Sequence, residues 1–243
     1  MNEVLRVENL TKAYGNTTVV KHVNLHAKAG TVIGLLGANG AGKTTTMECI
    51  LGTKRQDEGT ITLLGMNPRK DRKKLFERVG VQFQQANYQQ EIKVNELCEE
   101  TASLYKNPAN WHSLLNEFGL GKKEKTLVKE LSGGQCQRLF IVLALLSNPE
   151  IVFLDELTTG LDTKARRGVW RILESLKKQG LTIFLTSHFM DEVEALCDEI
   201  YILKKGEVVF QGTVREAIET SPYEQFEDAY LWYSDEEEKD EDF

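Results

Sequence analysis

The chain has 243 residues, 41% of them hydrophobic, enough for one substantial α/β core. Its net charge of −7 sits mostly at the C-terminus, where residues 235–242 hold seven acids against Lys239, a local −6 that leaves −1 for the rest. A nearly neutral body lacks the basic surplus of a nucleic-acid binder, and the longest apolar run, Leu139–Leu146, is far short of the roughly 18–20 residues that cross a bilayer.

With no signal-peptide pattern at the N-terminus, the expectation is a soluble, cytosolic chain. Cys49, Cys98, Cys136 and Cys197 lie far apart, without CxxC or His spacing for zinc, and read as reduced and non-ligating.

Leu5–Leu10 and Thr18–Ala27 alternate apolar and polar residues around Tyr14-Gly15-Asn16, which predicts antiparallel strands. Val32–Leu36 is a short continuous apolar run, the pattern of a buried parallel strand, followed by a glycine-rich loop and a helix over Gly42–Leu51. Val79–Phe83, Ile151–Leu154 and Leu181–Thr186 look the same and alternate with helical patterns, which implies a parallel α/β core. From about residue 86 the spacing turns helical, and a helical subdomain is expected over about 86–147. Glu199–Leu203 and Glu207–Gln211 read as strands joined at Lys204-Lys205-Gly206, and Phe226–Leu231 as a short amphipathic helix. One domain over 1–234 with a disordered acidic tail at 235–243 is the expected organisation.

Gly37-Ala38-Asn39-Gly40-Ala41-Gly42-Lys43-Thr44 matches G-x4-G-K-[ST] between the predicted strand and helix. Such a loop aims backbone N–H groups and the positive helix end at an anion. Lys43 would reach the β- and γ-phosphates of a nucleotide, and the Thr44 hydroxyl would face Mg²⁺. Ile151–Leu154 ends in Asp155-Glu156, two acids at the end of a buried strand, where α/β sheets bind ligands. Asp155 is suited to hold the metal and Glu156 to deprotonate an attacking water. Leu131-Ser132-Gly133-Gly134-Gln135 heads the apolar helix; a serine hydroxyl and glycine amides there make either a second anion site or an ordinary helix cap.

Together with the phosphate loop and the paired acids, this segment closely resembles ABC-type ATPases, whose signature is LSGGQ, over most of the chain from Leu5 to about Gln211. The resemblance implies an α/β phosphate-loop NTPase core with a mostly parallel sheet, an N-terminal antiparallel β subdomain and a helical insertion. It also implies that Tyr14 stacks on adenine, that Thr45 joins Gly37, Asn39, Gly40, Gly42, Lys43 and Thr44 around the nucleotide, and that Gln84 senses metal and water, with Gln82 and Gln85 close by. Asp162 corresponds to a loop contacting an opposite subunit, and His188, after Leu185-Thr186-Ser187, to a residue within reach of the γ-phosphate. By the same resemblance ATP, with Mg²⁺, lies between one subunit's phosphate loop and Ser132, Gly133, Gly134 and Gln135 of a second subunit. A dimer beside a separate transmembrane permease is therefore implied, at the cytoplasmic side of a membrane.

The family usually has proline after the catalytic glutamate; this chain has Leu157. Lys164–Trp170, His188–Asp198 and Phe226–Leu231 resemble exporters of the ABC-2 type, which handle drugs, antibiotics, peptides or lipids. An importer subunit, a soluble ABC protein of a non-transport process and a weakly hydrolysing regulator are the alternatives at this point.

Overall fold

The computed structural model describes residues 2–82, 89, 91–156, 158 and 160–234. In chain order it begins with β1 (Glu3–Tyr14), β2 (Thr17–Lys28), β3 (Val32–Leu36), α1 (Lys43–Ile50), β4 (Glu58–Leu63), α2 (Arg72–Leu75) and β5 (Val79–Gln82). Next come α3 (Val94–Ala102), α4 (Trp111–Glu117), α5 (Gly133–Leu145), β6 (Ile151–Asp155), α6 (Thr163–Lys178) and β7 (Thr182–Thr186). The last elements are α7 (Met190–Leu196), β8 (Glu199–Lys204), β9 (Glu207–Gly212), α8 (Val214–Glu219) and α9 (Phe226–Ser234). The described residues fall into two units, one from 1–72 and 186–243, the other from 73–185.

In the first unit β1 pairs antiparallel with β2 and with β4, in the register Val7↔Leu25 and Val7↔Ile61. The cause is alternation: Leu5, Val7 and Leu10 are buried while Arg6, Glu8 and Asn9 face water. β4 was not anticipated; its alternation is short, with only Ile61 and Leu63 buried. β3, buried along its whole length, pairs parallel with β8, Leu36 opposite Ile202, and β8 turns through Lys205 and Gly206 into antiparallel β9. Leu36, Val193, Ile200, Ile202, Ala217, Phe226 and Tyr230 form one apolar cluster that fastens α7, α8 and α9 to this sheet. Each large side chain buried there contributes about 1.5–3 kcal/mol.

In the second unit β5 and β6 pair parallel, Val79 opposite Ile151, with β7 next to β6. Every residue of β6 and β7 is buried, as continuous apolar runs require. Phe153 and Phe184 meet with ring centroids 5.2 Å apart. α5 lays Leu139, Ile141, Val142 and Leu145 toward β5 and β6, and α3 and α4 pack against α5. At the start of β5 and β6, Arg78 grips Glu150 with two of its guanidinium nitrogens, Nε and Nη2, the latter at 2.9 Å, while Glu150 N–H donates to Arg78 O at 3.0 Å.

Gly42 and Leu51, expected inside the first helix, are its caps. Phe83, the first residues of the helical insertion and the acidic tail lie outside the described residues. Among the described residues no helix is long and apolar enough to cross a membrane.

Candidate functional site

In the first unit, residues 37–42 run from the end of β3 to the first residue of α1. Gly42 has φ 106°, left-handed backbone that costs an ordinary residue roughly 1–2 kcal/mol, and a Cβ there would come 2.8 Å from Val19 O. Gly206, in the β8–β9 turn and itself against Val19, donates its N–H to Ala41 O at 3.1 Å and accepts from Lys21 N at 2.8 Å. The loop is thus backed by β2 and that turn together. Lys43 is 7% exposed and curls back, its ammonium donating to Gly37 O at 2.6 Å and Ala38 O at 3.1 Å. A cation enclosed by a loop that also leads into a helix N-terminus is the arrangement an anion with several oxygens would enter. Thr44 is exposed and Thr45 half-buried; Asn39 and Gly40 form the loop's exposed rim.

Tyr14 ends β1 with 43% exposure. The ammonium groups of Lys12 and Lys54 stand 5.3 and 5.2 Å from its ring centroid, within cation–π range. Lys12 is tied to Asp57, and Lys54 to Glu48 of α1 at 3.2 Å. The Asp57 carboxyl is held below the usual range, first by the Ala13 N–H at 2.7 Å and then by Lys12. His188 follows the end of β7, exposed, between buried Ser187 and half-buried Phe189.

In the second unit, Asp155 is the last residue of β6 and 5% exposed. Glu156 follows, half-buried, at φ 50°. Non-glycine residues held in that region cluster at functional sites. Ser132 is the N-cap of α5: its hydroxyl accepts Gln135 N–H at 3.3 Å, and the Gln135 side-chain oxygen accepts Ser132 N–H at 3.1 Å. This capping box satisfies two of the orphan donors of the helix, and leaves Ser132 and Gly133 exposed. Arg138 binds the box from behind through Gly134 O at 3.2 Å and Phe118 O at 2.9 Å. Asp162 caps α6 through Ala165 N–H at 2.8 Å and is exposed.

The phosphate loop, Tyr14 and His188 thus belong to the first unit, and Asp155, Glu156, Asp162 and the Ser132–Gln135 box to the second. Gln84 and Leu157 lie outside the described residues. Thr44 in the first unit offers a hydroxyl and Asp155 in the second a carboxylate, each a hard oxygen of the kind Mg²⁺ takes. Sequence reasoning missed the pair of lysines at Tyr14 and the Ser187–Glu192 contact, in which the serine hydroxyl donates to a fully buried carboxylate at 2.5 Å. Lys12 was findable, since it shares a strand face with Tyr14 two residues on.

A family model described as ABC transporter matches residues 20–159. Nod factor export ATP-binding protein I of Ralstonia nicotianae is 39% identical over 220 residues, covering 88% of this chain and 68% of the relative. Linearmycin resistance ATP-binding protein LnrL of Bacillus subtilis is 34% identical, over 86% of this chain and 69% of its own length. Among solved structures, an ATP-binding subunit of an ABC transporter superposes with a TM-score of 0.86 at 25% identity, covering 95% of this chain and 99% of its own. A dimeric ATP-binding cassette in a post-hydrolysis state with ADP and Pi does so at 0.77 and 26% identity, covering 86% of this chain and 98% of its own.

Proposed function

The chain belongs to the ABC transporter family of ATP-hydrolysing proteins, and on that premise we propose that it is the ATPase subunit of an exporter, driving a separate membrane permease from the cytoplasmic side as one half of an ATPase dimer. The observation that carries this is the phosphate loop: Lys43 is enclosed by Gly37 and Ala38 at the junction of a buried strand and a helix N-terminus. The two relatives named for export and resistance favour export over the importer reading.

On this reading the adenine of ATP rests on Tyr14, and the triphosphate enters residues 37–45. Lys43 exchanges its two carbonyl partners for phosphate oxygens, a charge-assisted contact roughly twice as strong as a neutral one. Thr44, Asp155 and Gln84 are the residues that would hold Mg²⁺, whose charge would offset that of the phosphates. Glu156 takes a proton from water, the water oxygen bonds to the γ-phosphorus, and the bond to the β–γ bridging oxygen breaks with its electrons leaving on ADP. His188 contacts the γ-phosphate. Ser132, Gly133, Gly134 and Gln135 of the second subunit close over the same nucleotide, so that closure follows ATP binding and reopening follows phosphate release. Residues 1–234 act as one ATPase domain in this scheme.

The test is to express tagged Glu156→Gln protein in its host, solubilise gently with ATP and Mg²⁺, and identify what co-purifies. The variant should bind ATP while turning over about 10²- to 10⁴-fold more slowly, the usual loss of a general base. A polytopic membrane protein without its own phosphate loop is the expected companion. Recovery of ribosomes, DNA or soluble proteins alone would overturn export, and turnover near wild type would overturn the role of Glu156.

A further inference from the structure

Glu192 is fully buried and Ser187 nearly so, at 2% exposure, in a segment that also carries exposed His188. A buried carboxylate is costly unless hydrogen bonds satisfy it, and this one receives the Ser187 hydroxyl at 2.5 Å, the length of a charge-assisted bond. The same serine oxygen accepts the N–H of Phe189 at 3.0 Å. Phe189 is the N-cap of α7 and its own side chain accepts nothing there. Its carbonyl in turn receives Glu192 N–H at 3.1 Å and Val193 N–H at 3.2 Å.

The spacing is that of a capping box, in which an acid three positions into the helix reaches back to the N-cap N–H. Here the serine hydroxyl is inserted between the two. The insertion has a geometric result: the bridge runs from Ser187 to Phe189 across exposed His188, fixing the backbone on both sides of it. An apolar residue at position 192 would fill the same buried space without holding Ser187.

We propose that Glu192, acting through Ser187, is a positioning residue for His188, presenting the imidazole at the height where the γ-phosphate of ATP is met. This inference rests on the reading of His188 as the γ-phosphate contact. The test is a double-mutant cycle in single-turnover ATP hydrolysis, with ATP affinity and melting temperature measured on the same full-length proteins. Ser187→Ala should lower the hydrolysis rate about 10- to 100-fold, the scale of a misplaced reacting group, while ATP affinity stays within about twofold because the contact matters in the transition state. In a His188→Ala background the same change should cost less than about twofold, since two residues acting through one group do not add. Glu192→Gln, which keeps an acceptor oxygen on the same stem, should retain more activity than Glu192→Leu; if the leucine variant does not fold, the serine cycle decides alone. Equal losses from Ser187→Ala with and without His188 would mean a merely structural bond and overturn the proposal, as would an unchanged rate. If His188→Ala itself leaves the rate unchanged, the reading of His188 fails, and the inference with it, by a result distinct from the other two.

Discussion

The loop at residues 37–42 is enclosed by its own chain, whereas the helix start at residues 132–135 is open. A Cβ built on Gly37 would lie 2.4 Å from Leu203 O, while one on Gly133 meets nothing within 4 Å. Both stretches are glycine-rich and both lead into a helix N-terminus, yet the absence of a side chain serves different ends. In the first it lets neighbouring backbone close in, so that the chain builds the cradle by itself. In the second it keeps an exposed surface flat, with the capping box already satisfying the N–H groups it can reach, so that room remains for an approaching group. On the reading proposed above, one nucleotide site takes one of each from two subunits, and a solved cassette similar to this chain is dimeric.

The contrast can be broken at two places. Gly37→Ala should produce the largest effect, lowering stability by about 2–4 kcal/mol through left-handed strain and overpacking against backbone that cannot move aside, and ATP binding should fall with it. A melting curve within error of wild type would mean the loop is not enclosed as described. Gly133→Ala should do the reverse. It should leave the isolated chain as stable or up to about 1 kcal/mol more so, because alanine is the better helix former, while ATP-dependent dimerisation and hydrolysis decline. Intact dimerisation on a sizing column would show that nothing approaches that surface.

The smallest effect lies away from both sites. Hydrogen bonding and charge from Arg78 hold the Glu150 carboxyl below its ordinary value of 4.5. A depressed carboxyl contributes stability that is full above its unfolded pKa and lost as pH falls through the folded one. Both side chains are about half exposed, 43% and 53%, so Arg78→Met should cost less than about 1 kcal/mol at neutral pH. The gap between the two melting temperatures should close in acid below 4.5; a gap that stays constant would show that the arginine stem, not its charge, supplies the stability.

Much of this molecule is legible from sequence because its signals are local. The phosphate loop is a run of eight residues whose glycines, lysine and threonine act within one turn of chain, and β3, β6 and β7 declare themselves by unbroken apolar composition. β4 did not, since two buried residues make too short an alternation, and its partner β1 lies some fifty residues away in register Val7↔Ile61. Asp57 is a similar case: it reads as a surface acid, and only the fold brings it to Lys12 and the Ala13 N–H beside Tyr14.

The sequence by itself determined the family, the order of the strands and helices that alternate through the core, and the chemical types placed at each strand end, because these depend on short-range periodicity and on motifs read along the chain. Only the tertiary structure decided that Lys43 turns back onto Gly37 and Ala38, that Gly42 lies against β2 and that Glu192 is buried on Ser187. Those contacts depend on where backbone from distant positions, or side chains across a turn, meet in space, and burial, which makes a hydrogen bond to a carboxylate indispensable, is not written in the identity of the residue that carries it.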